Sequence, residues 1–229
     1  MGEARRTGKK LSQRLPPVLG PDFFDRNADA VARDLIGKAL VREHAGTRTS
    51  YMITETEAYL GEHDLASHSA RGRTPRTEVM FGPPGLLYIY LVYGLHWMLN
   101  VVTGRPGSAV LLRSAGGANG PGRLGAALAI NGALNGKAAQ PSGGLWFEDR
   151  PEAGRVMATP RIGVDYAGQF WSRRKLRFVL ARSMLQPEPL SARNVDDVTI
   201  RKSRRGAGQL IRPAPHELLA RSRRLSRRV

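Results

Sequence analysis

The sequence contains no cysteine among its 229 residues. Disulfides, thiolate metal sites, iron–sulfur clusters and cysteine nucleophiles are therefore excluded together. Long apolar runs are also missing: none approaches the roughly 18 residues that a membrane helix needs, so we expect no membrane-spanning segment. The N-terminal stretch is basic but lacks the apolar core of a secretory signal, and with the absence of cysteine this suits a cytoplasmic protein.

Acidic residues are scarce relative to basic ones. Lysine and arginine number 36 against 19 aspartates and glutamates, for a net charge of +17. Residues 1–18 carry five basic and one acidic residue, and residues 199–229 carry ten and one. The ends are thus either solvated arms or arms that hold phosphates non-specifically. A balance this basic points to nucleic acid or another polyanion as a partner.

The remaining sequence has the composition of a globular domain, with 41% hydrophobic and 24% charged residues. We expect one domain at 19–186, a basic flexible tail at 1–18, and a partly disordered basic extension at 187–229. The predicted helices and strands are listed by residue number: helices at 28–36, capped by Asn27, and at 123–130; strands at 38–43, 50–60, 86–93, 96–103, 108–114, 161–164 and 176–182. Because the strands cluster, they indicate an α+β fold with a curved, mostly antiparallel β-sheet surrounded by helices.

Two carboxylates and a phenol stand at alternate positions in the segment ITETEAYLG. Side chains alternate along a strand, so Glu55, Glu57 and Tyr59 should share one face. If that face is solvated, it is an ordinary polar edge. If it lines a cleft, one glutamate is a candidate general base whose pKa is raised by burial or by its neighbour.

Three tyrosines occur in the largely apolar segment LYIYLVYGLHWMLN. Tyr88 and Tyr90 fall on one strand face and Tyr93 falls at the turn, either as ends of a core strand or as flat surfaces for stacking nucleobases. Asn100 and Arg113 are polar residues within apolar strands. Each is either a structural hydrogen-bonding group or a site residue.

Two further patterns carry less information. His63, Asp64 and His68 are of residue types that bind metals, but their spacing is not an established ligand pattern. Satisfied or solvent-facing side chains are the simpler interpretation, and a stacking or hydrogen-bonding role for His68 is the third. The glycines of GPGRL precede a predicted helix, whose N-terminus could hold a phosphate.

Taken together and in order, these segments resemble the alkyladenine (3-methyladenine) DNA glycosylase family, in its bacterial form. The segments are TETEAYLG, DLASHSARGRTPRT, MFGPPGLLYIYLVYGLHWMLNVV, AVLLR and GPGRL, and the resemblance runs from about residue 21 to 184. One departure is the short bridge SAGGAN between AVLLR and GPGRL, where the family usually has a longer, partly helical segment. The departure leaves the pocket motifs intact.

The resemblance implies a role for each motif residue. Glu57 matches the glutamate that activates the attacking water, and Arg113 the arginine near that water and the deoxyribose phosphate. The residues that match those contacting the flipped base are Tyr59, His68, Tyr90 and Asn100. Tyr93 matches the side chain wedged into the DNA stack. We also expect DNA-backbone contacts from Arg71, Arg73, Arg76, Gly122, Arg123 and Lys175.

The implied reaction is hydrolysis of the N-glycosidic bond of a damaged purine in double-stranded DNA. The implied enzyme uses no cofactor or metal and needs no protein partner; we expect a cytoplasmic, nucleoid-associated monomer. A lyase step needs an amine nucleophile, and none of the six lysines falls in the pocket motifs, which predicts a monofunctional glycosylase. The alternative is a non-catalytic nucleic-acid-binding protein that uses the same aromatic pocket and basic tails.

Overall fold

An eight-stranded antiparallel sheet organises the fold. The computed structural model describes residues 16–181 of the chain. Six strands lie side by side in the order β3-β4-β5-β2-β1-β6, while β8 pairs with β2 and β7 pairs with β8. The strands are β1 (Ala39–His44), β2 (Thr47–Leu60), β3 (Leu87–Val92), β4 (His96–Val102), β5 (Ser108–Ala115), β6 (Leu145–Glu148), β7 (Val156–Thr159) and β8 (Arg177–Leu180). The prediction of a single α+β domain with an antiparallel sheet is confirmed.

Short helices flank the sheet: α1 (Pro21–Phe24), α2 (Ala28–Asp34), α3 (Pro121–Ala127) and α4 (Gly168–Arg173). The start of α2 agrees with the prediction, but Asn27 makes no side-chain cap. Its side-chain oxygen instead accepts a hydrogen bond from Arg105 at 2.9 Å. The cap prediction was therefore wrong, because a tertiary contact took the side chain.

One face of the sheet packs on α2 and α3 and forms the main core. On β2 this face carries Thr56 and Ala58, both fully buried, and on β5 it carries Val110 and Leu112. Helix α2 is tied to it by a hydrogen bond from the Thr56 hydroxyl to the carbonyl of Ala32 at 2.7 Å. Because side chains alternate along each strand, the residues between these point to the opposite face.

Two late elements differ from the prediction. Residues 161–164 form no strand; the strand of this region is β7, five residues earlier. Arg161 instead buries its guanidinium against Asp64, and Gly163 adopts a positive φ of 74° that interrupts extended backbone. The sequence patterns do not predict strand β6, whose four residues are too few to show a clear alternation.

Within residues 16–181, no helix has the length and hydrophobicity needed to cross a bilayer. The predicted arms lie outside the described residues, apart from positions 16–18 of the first.

Candidate active site

A row of side chains crosses the sheet on the face opposite the main core. Glu57 on β2 is in register with Leu111 on β5, which is in register with Asn100 on β4, which is in register with Tyr88 on β3. Side chains of paired residues lie on the same face. The sheet therefore brings together residues of four strands that lie up to 54 positions apart in the sequence. We call this face of the sheet the site face.

Glu57 lies at the β2 end of this row and is 0% exposed. Its Oε1 accepts a hydrogen bond from the backbone N–H of Ile162 at 2.8 Å, and its Oε2 accepts one from the Tyr59 hydroxyl at 3.0 Å. Arg113 approaches Oε1 at 3.3 Å. Burial raises the pKa of Glu57, although Arg113 and the two hydrogen bonds oppose the rise. A buried carboxylate of this kind is suited to take a proton from water near neutral pH.

Glu55 lies on the same face but in a different environment. It accepts hydrogen bonds from Arg113 Nε at 2.9 Å, Arg177 Nη1 at 2.9 Å and Ser114 Oγ at 2.8 Å. Burial alone would raise its pKa, but the hydrogen bonds from Arg177 and Ser114 and the charge of Arg113 outweigh it, so the pKa is lowered. Glu55 is thus held as a carboxylate.

Arg113 reaches both glutamates because of a β-bulge. Glu55 is in register with Ser114 and Thr56 with Leu112, so Arg113 is the extra residue of β5 at this point. A bulge re-aims the side chain it carries. The guanidinium of Arg113 lies between the two carboxylates, and this position fits a structural hydrogen-bonding group as well as a site residue.

The aromatic side chains form a cluster beside Glu57. The rings of His68 and Tyr90 meet edge to face with centroids 4.6 Å apart, and those of Tyr88 and Tyr90 are 5.3 Å apart. His68 Nδ1 is hydrogen-bonded to the Tyr88 hydroxyl at 2.9 Å. Burial, with the charges of Arg76 and Arg71, lowers the pKa of His68 to about 4. His68 is therefore neutral at physiological pH.

Tyr59 contributes a further ring and lies over a buried charge. The Arg161 guanidinium is 4.8 Å from the centre of the Tyr59 ring. Arg161 also donates to the Ala58 carbonyl at 2.9 Å and to Asp64 at 2.6 Å. Arg161 therefore connects its own segment to β2 and to the loop that follows β2. The next residue of that segment, Ile162, donates the hydrogen bond to Glu57.

Asp64 is therefore a structural group. It is fully buried and pairs with Arg161 through both carboxylate oxygens. It also accepts hydrogen bonds from the backbone N–H of Leu60, at the end of β2, and from that of Ala66 in its own loop. Within residues 16–181, no three histidine, aspartate or glutamate side chains are placed to hold a metal ion, and Arg161 pairs with both carboxylate oxygens of Asp64. No sequence pattern links Asp64 with Arg161, 97 positions later.

Asn100 is 4% exposed, and its Nδ2 donates to the carbonyl of Tyr88 at 2.9 Å. The side-chain amide is therefore fixed in orientation beside the aromatic cluster. This contact is compatible with both interpretations of Asn100, as a structural amide and as a site residue.

Tyr93 projects from the tip of the β3–β4 hairpin and is 90% exposed. Tyr93 and Gly94 have φ values of 53° and 69°, and the Leu95 N–H donates to the Val92 carbonyl at 3.0 Å. Positive φ at both central positions is the mark of a type I′ turn, which favours glycine or asparagine. A bulky residue there is strained, and strain of this kind is found at functional positions.

The six residues predicted to contact the DNA backbone lie in different environments. Arg76 lies 5.3 Å from the centre of the Tyr90 ring, and Arg71 ends the short 3-10 helix that begins at His68. Arg73 instead pairs with Glu78 at 3.0 Å, and both side chains are exposed. Arg123 in α3 and Lys175 before β8 are exposed.

Gly122 is a packing position. A Cβ at Gly122 would lie 2.9 Å from Cγ of His96, so a larger residue would collide with β4. The GPG segment is also connected to the site, since the Gly120 N–H donates to Ser114 Oγ at 3.1 Å, and Ser114 donates to Glu55. The short bridge before it is a tight turn, with positive φ at Gly116 and Gly117.

Sequence reasoning missed two groups at this site. Arg177 on β8 holds Glu55, and Ser114 connects Glu55 to the GPG segment. Arg177 lies 122 positions from Glu55, and no motif marks it. In the sequence, Arg177 stands out only as an arginine between apolar residues of a predicted strand.

Comparisons with known proteins agree on one family. Residues 22–117 and 115–184 match the family model described as methylpurine-DNA glycosylase. A relative from Methanocella arvoryzae is 45% identical over 175 residues, which is 67% of this chain and 88% of the relative. One from Myxococcus xanthus is 47% identical over 162 residues, 66% of this chain and 84% of the relative. Both are provisionally named 3-methyladenine DNA glycosylase.

Proposed function

The chain belongs to the methylpurine-DNA glycosylase family, and from that membership and the geometry of its site we propose that it flips damaged purines out of duplex DNA and hydrolyses their N-glycosidic bond. The observation that carries the chemical part is Glu57. It is a buried carboxylate with a raised pKa, beside aromatic rings on one face of the sheet. A protein that only bound DNA would gain nothing from a negative charge there.

Glu57 acts as the base that deprotonates the attacking water. The Ile162 N–H and the Tyr59 hydroxyl hold its two oxygens in place, so the carboxylate is oriented before the substrate arrives. General base catalysis of this kind is worth about 10²–10⁴-fold in rate. One carboxylate suffices when the leaving group is a cationic methylated purine, because a cationic base departs without prior protonation.

The aromatic cluster binds the flipped base. Tyr59, Tyr90 and His68 offer ring surfaces, and stacking on such surfaces contributes about 1–3 kcal/mol per base. Electron-rich rings also attract a cationic purine. Asn100, held by its bond to the Tyr88 carbonyl, presents a fixed amide that discriminates between purine edges.

Tyr93 fills the space that the flipped base leaves in the duplex. Its exposure and its position at the tip of a two-stranded projection support this role. Removing a base from the stack costs a few kcal/mol, and an inserted ring offsets part of that cost.

Deaminated purines such as hypoxanthine are neutral and need a proton on leaving. His68 is a poor acid for this step because its pKa is lowered to about 4, so it carries no additional proton at pH 7. A main-chain N–H transfers no proton, but its hydrogen bond would stabilise the base if it departs as an anion, which then takes its proton from water. The proposed enzyme leaves an abasic site and acts without a lysine Schiff base, as a cytoplasmic monomer.

The decisive experiment is single-turnover release of the damaged base. The substrates are duplexes that carry one hypoxanthine or one 1,N6-ethenoadenine, and randomly methylated DNA, each incubated with wild type and Glu57→Gln in the presence and absence of EDTA. Release by wild type that the variant loses and the chelator does not affect would support the proposal. Tight lesion binding by both proteins without release would favour the non-catalytic binder.

A further inference from the structure

Arg113 is shared between two carboxylates that differ in every other contact. Its Nε lies 2.9 Å from Glu55 Oε1, whereas its Nη1 lies 3.3 Å from Glu57 Oε1. The guanidinium is therefore hydrogen-bonded to Glu55 and only in ionic contact with Glu57. The more strongly one carboxylate attracts this cation, the less the cation neutralises the charge of the other carboxylate.

The strength with which Glu55 attracts Arg113 depends on the other groups that bind Glu55. Arg177 Nη1 binds the same oxygen, Oε1, as Arg113 does, and Ser114 Oγ binds Oε2. Glu55 is partly buried, and so are both arginines. Charges enclosed in this way are screened weakly by solvent, so the sharing of Arg113 matters energetically.

We propose that Glu55 is a positioning residue that draws Arg113 away from Glu57, with Arg177 setting how strongly it does so. The proposal rests on Glu57 being the base of the proposed function. Glu55 itself does not touch the reacting atoms. It keeps the arginine from fully neutralising the base, and leaves Glu57 able to accept a proton.

The direction of each effect follows from the groups that face Glu57. These are Arg113 from β5, Arg161 and the Ile162 N–H from the segment before α4, and the Tyr59 hydroxyl from β2, with Tyr90 and Tyr166 nearby. Loss of the Glu55 charge releases Arg113 to Glu57 and stabilises the Glu57 carboxylate. Loss of the Arg177 charge strengthens the hold of Glu55 on Arg113 and has the opposite effect.

The test measures the titration of Glu57 directly, by ¹³C NMR of protein labelled at the glutamate side-chain carboxyl carbon. The Glu57 resonance is identified by its loss in Glu57→Gln. We expect Glu55→Gln to lower the pKa of Glu57 and Arg177→Gln to raise it, each by roughly one unit. The acid limb of the single-turnover rate should move in the same directions, since the rate falls as Glu57 is protonated.

A double-variant comparison separates action through Arg113 from direct repulsion between the glutamates. If Glu55 acts through Arg113, the shift caused by Glu55→Gln should shrink by about half or more in an Arg113→Met background. Should Glu55→Gln fail to fold, Arg177→Gln with and without Arg113 makes the same test. Glu152→Gln and Arg155→Gln, which remove single exposed charges elsewhere, are the matched controls.

Opposite shifts that depend on Arg113 would support the proposal. No shift, shifts in the same direction, or a Glu55→Gln shift that persists without Arg113 would overturn it. The NMR readout needs no substrate. Opposite shifts in the variants, found while the wild type releases no base, would therefore refute the proposed function and leave the electrostatic coupling of Glu55, Arg113 and Glu57 standing. Base release without the shifts would do the reverse.

Discussion

The two faces of the central sheet are built from alternate residues of the same strands, yet they are held together in different ways. Along β2, Thr56 and Ala58 face the main core, while Glu55 and Glu57 face the site. The core face is stabilised by burial of apolar surface against α2 and α3. The site face is stabilised by ion pairs and hydrogen bonds around buried carboxylates.

This difference leads us to expect that the two faces contribute differently to the free energy of unfolding and to the proposed reaction. Apolar packing is non-directional and tolerates small rearrangements, whereas a buried charge depends on a few partners at fixed distances. Substitutions on the core face should therefore reduce stability and leave the chemistry intact. Substitutions on the site face should do the reverse, except where they leave a buried charge unpaired.

Glu57→Gln should give the largest functional effect. We expect single-turnover base release to fall by about 10²–10⁴-fold, because the amide cannot take a proton from water. The Ile162 N–H can still bond to the amide oxygen, so the melting temperature should change little. Thermal unfolding followed by circular dichroism is the check, and a large loss of melting temperature would mean that Glu57 supports the fold as well.

Arg161→Met should be an exception to the contrast between the two faces. Arg161 lies on the site side, yet its loss should lower the free energy of unfolding. It leaves the Asp64 carboxylate buried without its cation, which costs about 3–5 kcal/mol. Urea unfolding would measure the loss. Adding Asp64→Asn should restore part of the stability, since the amide oxygen can still accept from the backbone; a double variant no better than the single one would contradict the charge argument.

Leu112→Ala tests the core face alone. Leu112 is 1% exposed, and truncation of a buried leucine costs about 2–5 kcal/mol in the free energy of unfolding. At a temperature where the variant remains folded, single-turnover base release should match that of wild type within about a factor of three. A large loss of rate in the folded variant would show that core packing controls the site.

Tyr93→Gly should separate stability from function at an exposed position. Glycine relieves the positive φ of 53°, so the free energy of unfolding should rise by about 1 kcal/mol or less. Binding to lesion duplex should weaken by about 1–3 kcal/mol, the contribution of one stacked ring. Gel-shift titrations with a single-stranded lesion oligonucleotide are the control, because no gap is left to fill there; equal losses on both substrates would reject the wedge.

Local sequence patterns were sufficient to predict the strands that carry the site. The alternation in ITETEAYLG placed Glu55, Glu57 and Tyr59 together, and the structure shows the two glutamates sharing Arg113. The alternation in LYIYLVYG did the same for Tyr88 and Tyr90. These predictions succeeded because the period of a strand is a local property of the chain.

Sequence reasoning failed where a contact joins distant segments. Residues 161–164 resemble a strand by composition, but Arg161 turns inward to reach Asp64. Asn27 has the residue type of a helix cap, but its side chain binds Arg105. In both cases a long-range partner outweighed a local preference that is worth only about 1 kcal/mol.

By itself, the sequence determined the α+β class, the alternating faces of the strands and the ordered motifs by which the family is recognised, since each of these depends on neighbours along the chain. Only the tertiary structure decided what each polar side chain contacts. Glu55 and Glu57 stand two positions apart, and the alternation of the strand does not distinguish them. Arg177 and Ser114 hold one, Ile162 and Tyr59 hold the other, and a bulge places Arg113 between them. A carboxylate's pKa is set by burial and by charges within a few ångströms, and those come from strands far apart in the chain.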